Sequence, residues 1–241
     1  MEIKVNGIVL SATNYKEKDV LITIFTAELG KITAVLKGAR GAKAKLKYAT
    51  QPFCFGEWVL IKSGDRFVVA TCSQQNSFFE LTADYDKYSL ACSMLQMCNI
   101  VLKPNIFAIN LLVALLRALQ TLAFENIIPK LVLAKFMLEF CSLIGFGFSW
   151  DVCGNCGCAL MGEIKYSISN RIFTCKLCAG MGAVETHKQW YTTLKIIDAT
   201  QVDKLNTINV KEDIINNCLY VLKLHIENVL GTKLTTLNSW V

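Results

Sequence analysis

The chain has 241 residues, which suffices for one large domain or for two to three small ones with a sizeable core. Its net charge of +6 is modest and does not by itself indicate a nucleic-acid ligand. The composition is 53% hydrophobic, yet no run reaches the roughly 18 uninterrupted apolar residues that a membrane span requires. We therefore expect a soluble protein without a membrane segment.

The first eighty residues predict a small barrel. Runs rich in β-branched and apolar residues alternate here with turn signals. The predicted strands cover residues 7–11, 20–26, 31–36, 53–62 and 66–72. The last two form a hairpin across Ser63-Gly64-Asp65, and a long loop separates the third strand from the fourth. Five short strands with one long loop fit a closed barrel of the OB type.

The long loop, which we call the basic loop, has five cations within eleven positions and no acid. They are Lys37, Arg40, Lys43, Lys45 and Lys47. Glycines and alanines separate them, and a flexible cationic loop suits phosphates whose positions vary along a strand. Loops of OB barrels border the face that binds single strands. The charges alone leave a second interpretation open, a solvated loop that only keeps the protein soluble.

Residues outside the loop extend this predicted nucleic-acid interface. Arg66 is predicted to contact nucleic acid together with the loop, and Lys16 and Lys18 are candidates for the same footprint. Four aromatic residues are candidates for base stacking or, alternatively, for the barrel core. They are Tyr15, Tyr48, Phe53 and Phe55.

The pattern changes to helical from Asp84 onward. Three helices are predicted at residues 84–102, 106–124 and 129–144. Asp84 is the expected N-cap of the first, and Pro104 stops it. A fourth amphipathic helix is predicted near the C-terminus. Asn209 and Glu212 resemble a capping box at its start, and Gly231 fits its end.

Two cysteine pairs lie between the helical segments, with eighteen residues between the pairs. They are Cys153 with Cys156, and Cys175 with Cys178. Two CxxC units around a hairpin-length insert match the spacing of a four-thiolate zinc site. The insert predicts a hairpin over 163–174 with its turn at 169–170. We therefore predict a zinc ribbon that holds one structural Zn²⁺.

The alternatives to zinc are weaker. Two disulfides require an oxidising compartment, and the N-terminus lacks the apolar segment of a signal peptide. A thioredoxin-like site needs a single CxxC that opens a helix. A zinc deaminase needs an H-x-E motif, which neither His187 nor His225 begins. Cys158 offers a fifth thiol, but its spacing from Cys156 fits a turn less well, so it is left out of the ligand set.

A closed four-thiolate site leaves no open position for catalysis, so the metal is expected to be structural. Such a site carries a net charge of about −2. Lys165, Arg171 and Lys176 are expected to offset it. The remaining cysteines lie among apolar residues and are expected to be small buried residues in a reducing cytosol.

The sequence thus predicts an α+β chain with an OB barrel followed by a helical bundle that carries a zinc ribbon. The expected boundaries are 1–80 for the barrel, 81–150 for the first helical part, 151–183 for the ribbon and 184–241 for the second helical part. We find no Walker A, GxSxG or GxGxxG motif and no metal-binding carboxylate pair. We therefore expect no enzymatic activity.

The chain resembles the bacterial recombination and repair protein family RecO along essentially its full length. The segments that carry the resemblance are GIVL at 7–10, YKEKD at 15–19, FTAELGK at 25–31, KGAR at 37–40, QPF at 51–53 and LGTKLTTL at 230–237. The two CxxC pairs also fall where many members have a zinc module. Many relatives continue the KGAR segment with arginine and serine, whereas Gly41 and Ala42 follow here, which weakens the basic loop.

The resemblance implies a cytoplasmic, nucleoid-associated mediator of DNA repair and RecF-pathway recombination. Such proteins bind single- and double-stranded DNA, anneal complementary strands and engage single-strand-binding protein. With RecR they help to load RecA, which is thus an indirect partner. Two alternatives stay open: a protein-interaction scaffold whose apolar helices bind peptides, and an RNA-binding factor with the same barrel and ribbon.

Overall fold

The computed structural model describes residues 2–64, 66–104, 106–180, 183–186, 188–238 and 240, with backbone only for 184–186. Asp65 of the predicted hairpin turn and His187 lie outside the described residues. The chain forms two compact units. The first comprises Met1–Ala83 and Leu95–Val113, and the second comprises Asp84–Met94 and Ala114–Val241.

The first unit contains a closed five-stranded barrel. Its strands are β1 (Glu2–Tyr15), β2 (Asp19–Thr26), β3 (Gly30–Leu36), β4 (Phe55–Ser63) and β5 (Arg66–Asn76). They close in the order β1-β2-β3-β5-β4, and β1 also pairs with β4. The β3–β5 pair is parallel, whereas the other four pairs are antiparallel. This topology confirms the predicted OB-type barrel.

The interior of the barrel is filled by apolar side chains, as the alternating pattern of the strands requires. The largest of them is Trp58, which is fully buried. Its indole Nε1 donates a hydrogen bond to the Gly7 carbonyl oxygen at 2.9 Å. A Cβ atom at Gly7 would lie 2.7 Å from the carbonyl oxygen of Phe25. Glycine at this position therefore lets β1 and β2 approach closely beside the tryptophan.

Residues 95–113 contact the β2–β3 turn within the same unit. Lys31 Nζ donates to the Asn99 carbonyl oxygen at 2.6 Å. Gly30 has a φ of 65°, and a Cβ atom there would lie 2.2 Å from the carbonyl oxygen of Ile106. Both the backbone angle and the crowding demand glycine at this turn.

Five helices appear in the described residues. They are α1 (Tyr85–Val101), α2 (Ile109–Phe124), α3 (Pro129–Leu143), α4 (Lys188–Ala199) and α5 (Glu212–Leu230). Both α1 and α2 contribute residues to each unit, whereas the other three lie in the second unit. The Asp84 carboxylate accepts hydrogen bonds from the amides of Asp86 and Lys87, which confirms the predicted N-cap.

The predicted capping box of the last helix is wrong. The N-cap of α5 is Lys211, and no side chain caps the helix. The Glu212 carboxylate instead contacts Lys130 Nζ on α3, at 2.9 Å. Because α5 begins at Glu212, this residue is at the first helical position and not at N3, where the box requires a carboxylate. The predicted end of α5 is confirmed, because Gly231 has the left-handed φ of 64°.

A small sheet follows α3 in the second unit. Its strands β6 (Ile164–Ser167), β7 (Ile172–Cys175) and β8 (Val184–Thr186) lie in the order β7-β6-β8. The β6–β7 pair is the predicted ribbon hairpin. Within the described part of the chain, every helix is too short or too polar to traverse a lipid bilayer.

Candidate metal centre and nucleic-acid interface

The four predicted ligands meet at one point. The sulfur atoms of the two CxxC pairs all lie within 4.8 Å of one another. Sulfur atoms bound to one tetrahedral zinc at about 2.3 Å are separated by about 3.8 Å. The Cys156 and Cys175 sulfurs are 3.9 Å apart, close to that value. The donor set and its spacing are therefore compatible with a structural tetrahedral metal.

The backbone around the first pair favours a thiolate at Cys153. The amide of Cys175 points at the Cys153 sulfur at 3.4 Å. Burial of Cys153 opposes its ionisation, but the amides of Cys156, Cys175 and Asn155 outweigh burial and lower the pKa of this thiol to about 6. Metals bind the thiolate form, so this arrangement prepares a ligand before any metal arrives.

Two glycines shape the turn at the first pair. Gly157 has a φ of 72°, and its amide donates to the Cys153 carbonyl oxygen at 2.9 Å. Gly154 approaches the hairpin so closely that a Cβ atom there would lie 2.7 Å from the Ile172 side chain. The first pair is thus fixed against β7, the strand that ends in the third cysteine.

The three cations expected to offset the thiolate charge each have another partner. The ammonium groups of Lys165 and Lys176 lie 3.4 Å and 2.9 Å from the Glu163 carboxylate. The guanidinium of Arg171 lies over the Phe146 ring at 5.2 Å. Their action on a metal site stays a prediction.

Aromatic rings attach the hairpin to the helices of the second unit. The cluster, which we call the aromatic cluster, comprises Phe148, Trp150, Tyr166, Phe173, Tyr191 and His225. Tyr166 and Phe173 come from β6 and β7, whereas Tyr191 lies on α4 and His225 on α5. The Trp150 indole also donates to the Asp198 carboxylate of α4 at 2.7 Å. The ribbon is therefore an integral part of this unit.

His225 is a residue whose role the sequence did not reveal. Its Nε2 lies 2.8 Å from the Phe146 carbonyl oxygen, and its Nδ1 lies 2.6 Å from the Tyr166 hydroxyl. A carbonyl only accepts, so Nε2 carries the proton and Nδ1 accepts from the tyrosine. A lone histidine in a helix gives no signal of such a network, because both partners are distant in sequence.

The basic loop is held at one end of the barrel. The Arg40 amide donates to the Lys18 carbonyl oxygen at 3.0 Å, and the Arg40 guanidinium donates to the Glu17 carbonyl oxygen at 3.0 Å. The Gly38 amide donates to the Asp19 carboxylate at 2.8 Å. These bonds place the first part of the loop beside the β1–β2 turn. The five loop cations are all exposed to solvent.

Arg66 reaches the same end of the barrel through Tyr15. Its guanidinium donates to the Tyr15 hydroxyl at 2.8 Å and lies 5.6 Å from the centre of that ring. Lys16 Nζ lies 5.4 Å from the same ring. We call Lys16, Lys18, Arg40 and Arg66, which are exposed, the cationic edge. The structure thus brings Arg66 to the turn that holds the basic loop.

The aromatic candidates differ in their exposure. Phe53 is buried and has a φ of 69°, so its ring fits the core alternative rather than base stacking. Phe55 is half-buried. Tyr48 is 39% exposed, and its hydroxyl donates to the Cys72 carbonyl oxygen at 2.6 Å. Base stacking requires an exposed ring that is held in place, so Tyr48 is a better candidate than Phe53 or Phe55.

Comparison with known proteins matches two family models to this chain. "Recombination protein O N terminal" matches residues 1–73, and "Recombination protein O C terminal" matches residues 82–238. The chain belongs to the RecO family. This membership agrees with the barrel at the N-terminus and supports a role in DNA repair and recombination.

Curated relatives with the name DNA repair protein RecO match nearly the full length of the chain. The relative from Clostridium perfringens strain 13 is 28% identical over 96% of this chain and 94% of its own. The relative from Acetivibrio thermocellus is 28% identical over 98% of this chain and 95% of its own. The relative from Caldicellulosiruptor saccharolyticus is 27% identical over 95% of this chain and 93% of its own. The resemblance noted in the sequence is thereby confirmed as a family relationship.

Proposed function

We propose that the protein is a non-enzymatic mediator of DNA repair and homologous recombination that acts in the cytoplasm at the nucleoid. It binds single- and double-stranded DNA and anneals complementary strands. With RecR it helps to load RecA onto DNA coated by single-strand-binding protein. The match of both RecO family models over 1–73 and 82–238 carries this proposal.

The barrel supplies the DNA contact. The basic loop and the cationic edge together place eight exposed cations on the barrel. The Arg40 guanidinium donates to the Lys16 carbonyl oxygen, and the Arg40 amide donates to that of Lys18, which holds these two positions beside Arg40. Cations so arranged neutralise phosphates and release counterions. When such cations lie between two DNA strands, they also reduce the electrostatic repulsion between the phosphates, which opposes annealing. The residues we assign to DNA contact are Lys37, Arg40, Lys43, Lys45, Lys47 and Arg66.

Charge reversal in the basic loop tests this contact. Lys43→Glu with Lys45→Glu should weaken binding to single-stranded DNA and flatten its salt dependence. With a slope of about −0.7 per neutralised phosphate, the loss of two contacts should change the log–log slope by about 1.4. Fluorescence anisotropy over a salt series measures both quantities.

The matched control is Lys204→Glu with Lys211→Glu, which reverses two exposed cations of the second unit and changes the net charge equally. The control should keep the wild-type slope. Equal slopes in all three proteins would remove the basic loop from DNA binding. Competition by an RNA strand of the same sequence separates the proposal from an RNA-binding factor, since a preference for RNA would contradict it.

We further propose that Cys153, Cys156, Cys175 and Cys178 bind one structural Zn²⁺. The ion would join the two turns of the ribbon and supply folding free energy to the second unit. Purified protein should contain one zinc per chain, and Cys153→Ser with Cys156→Ser should release it. A double variant that keeps a full equivalent of zinc would refute this ligand set.

A further inference from the structure

A fifth thiol lies at the metal centre. The Cys158 sulfur is 3.3 Å from the Cys156 sulfur, and both residues are exposed. A tetrahedral zinc takes four ligands, and the four sulfurs assigned above already satisfy it. Cys158 therefore stands beside a complete ligand set, in direct contact with one member of it.

The backbone fixes Cys158 in this place. Its carbonyl oxygen accepts a hydrogen bond from the Cys153 amide at 2.7 Å, and the neighbouring residues Val152 and Ala159 form an antiparallel bridge. Between Cys156 and Cys158 the chain reverses at Gly157, whose φ is 72°. Residues 152–159 thus form a closed loop, and its returning arm carries the fifth thiol back to the first ligand.

Exposure distinguishes the ligand that Cys158 touches. Cys153 is buried, and Cys175 and Cys178 are half-buried, whereas Cys156 is exposed. Solvent, chelators and electrophiles therefore reach Cys156 more readily than the other three ligands. The separation of 3.3 Å is shorter than the approximately 3.8 Å between two sulfurs bound to one zinc. The two sulfurs are thus closer than two ligands of one zinc tetrahedron, and exchange at one vertex requires both side chains to rotate.

We propose that Cys158 is a reserve ligand that replaces Cys156 on the zinc. Cys153, Cys175 and Cys178 stay bound in both states. The exchange forms the bond from zinc to the Cys158 sulfur and breaks the bond to the Cys156 sulfur. The proton of the incoming thiol passes to the departing thiolate, so charge and atoms balance without an oxidant. The site keeps four thiolates while its exposed ligand leaves.

Serine variants in the full-length chain test the exchange. Cys156→Ser should retain one zinc per chain, because Cys158 completes the site. Cys158→Ser should retain zinc as well. Cys156→Ser with Cys158→Ser should bind zinc at least about 100-fold more weakly than either single variant, since only three thiolates are left. Competition with a chromophoric chelator measures the affinity, and Co²⁺ absorption distinguishes four bound thiolates from three.

The outcome for Cys156→Ser decides the proposal. A four-thiolate Co²⁺ spectrum in this variant supports it. A three-thiolate spectrum, or a loss of zinc affinity as large as in Cys153→Ser, overturns it. Because the inference rests on the proposed zinc site, wild-type protein is analysed first. A wild-type chain without zinc refutes the metal itself, whereas zinc in wild type and none in Cys156→Ser refutes only the exchange.

Labelling of the wild-type protein keeps the test valid if a variant does not fold. Zinc-loaded protein is treated with a limiting amount of N-ethylmaleimide, and the labelled cysteine is identified by peptide mass spectrometry. Exchange predicts label on Cys156 in some molecules and on Cys158 in others, with zinc kept in both. Label on Cys158 alone would show that Cys156 never leaves the metal.

Discussion

At the scale of single residues, the buried histidine on α5 connects the packing of the second unit to pH. Burial lowers the pKa of His225 below its ordinary value of 6.5, and the positive charge of Arg171 acts in the same direction. The hydrogen bond to the Phe146 carbonyl oxygen opposes this shift but does not reverse it. The unfolded chain therefore binds more protons at His225 than the folded chain does between the two pKa values.

Stability should consequently fall as the pH falls below about 6.5, because a falling pH destabilises the fold wherever the unfolded state binds more protons than the folded state. His225→Gln should flatten this part of the curve and lower stability at pH 8. Urea unfolding at a series of pH values measures both effects. Zinc content must be matched between the two proteins, because acid also releases thiolate ligands. Identical slopes in wild type and variant would contradict a neutral buried His225.

The Tyr166 hydroxyl, which donates a hydrogen bond to His225, offers a second test at this scale. Tyr166→Phe removes the hydroxyl and leaves the buried Nδ1 atom without its donor. An unsatisfied buried acceptor costs about 1–3 kcal/mol. The free energy of urea unfolding at pH 8 should fall by that amount, whereas Tyr220→Phe, an exposed change on the same helix as His225, should leave it almost unaltered. Equal effects of the two changes would remove the hydrogen bond from the account.

Two glycines of the first unit form a matched pair. Gly30 and Gly38 both have a φ of 65°, so alanine at either position pays the left-handed penalty of about 1–2 kcal/mol. Only Gly30 faces a backbone atom, the Ile106 carbonyl oxygen, whereas a Cβ atom at Gly38 meets nothing within 4 Å. Gly30→Ala should therefore cost about 1–3 kcal/mol more than Gly38→Ala. Chemical denaturation of the two variants measures the difference, and equal costs would contradict the close approach.

At the scale of elements, the ribbon was the most predictable part of the chain. The CxxC spacing fixes which residues must meet, and the hairpin between the pairs follows from alternation over a few residues. The sequence predicted where the barrel strands lie but not where each strand begins and ends. β1 runs over Glu2–Tyr15, far beyond the predicted 7–11, and a register shift between Val9 and Ser11 breaks its alternation.

Other features depend on contacts that no local pattern encodes. The capping box failed because α5 begins at Glu212, two residues later than the box requires, and Glu212 contacts Lys130 of another helix. β8 has three residues, too few for a periodic signal. The aromatic cluster unites residues from 148 to 225, and its separate members look like ordinary core residues in the sequence. The sequence named all four residues of the cationic edge, but it did not predict the hydrogen bonds of Arg40 to residues 17 and 18, which join segments far apart in the chain.

Zinc removal should affect the ribbon and spare the barrel. Trp150 belongs to the aromatic cluster, whereas Trp58 lies inside the barrel of the first unit. With fluorotryptophan in the chain, chelation under reducing conditions should shift or broaden the ¹⁹F resonance of Trp150 and leave that of Trp58 in place. Trp→Phe variants assign the resonances, and readdition of zinc should restore the spectrum. An unchanged Trp150 resonance would contradict a folding role for the metal.

At the scale of the whole molecule, the two candidate sites lie in different compact units. The first unit holds the barrel with its exposed cations and parts of α1 and α2, and the second holds α3, α4, α5, the other parts of α1 and α2, and the cysteine cluster. The linear boundaries expected from the sequence stay a prediction. The structure adds that residues 95–113 belong to the same compact unit as the barrel. The two RecO family models together match residues 1–73 and 82–238, so family membership extends over nearly the whole chain.

The most direct test of the mediator role is fluorescence-monitored annealing of complementary DNA strands that have been coated with the cognate single-strand-binding protein. We expect the protein to accelerate annealing without ATP, and the Lys43→Glu, Lys45→Glu variant to accelerate it less than the Lys204→Glu, Lys211→Glu control. If naked strands are bound but coated strands anneal no faster than they do alone, the protein is a nucleic-acid binder and the mediator function is contradicted.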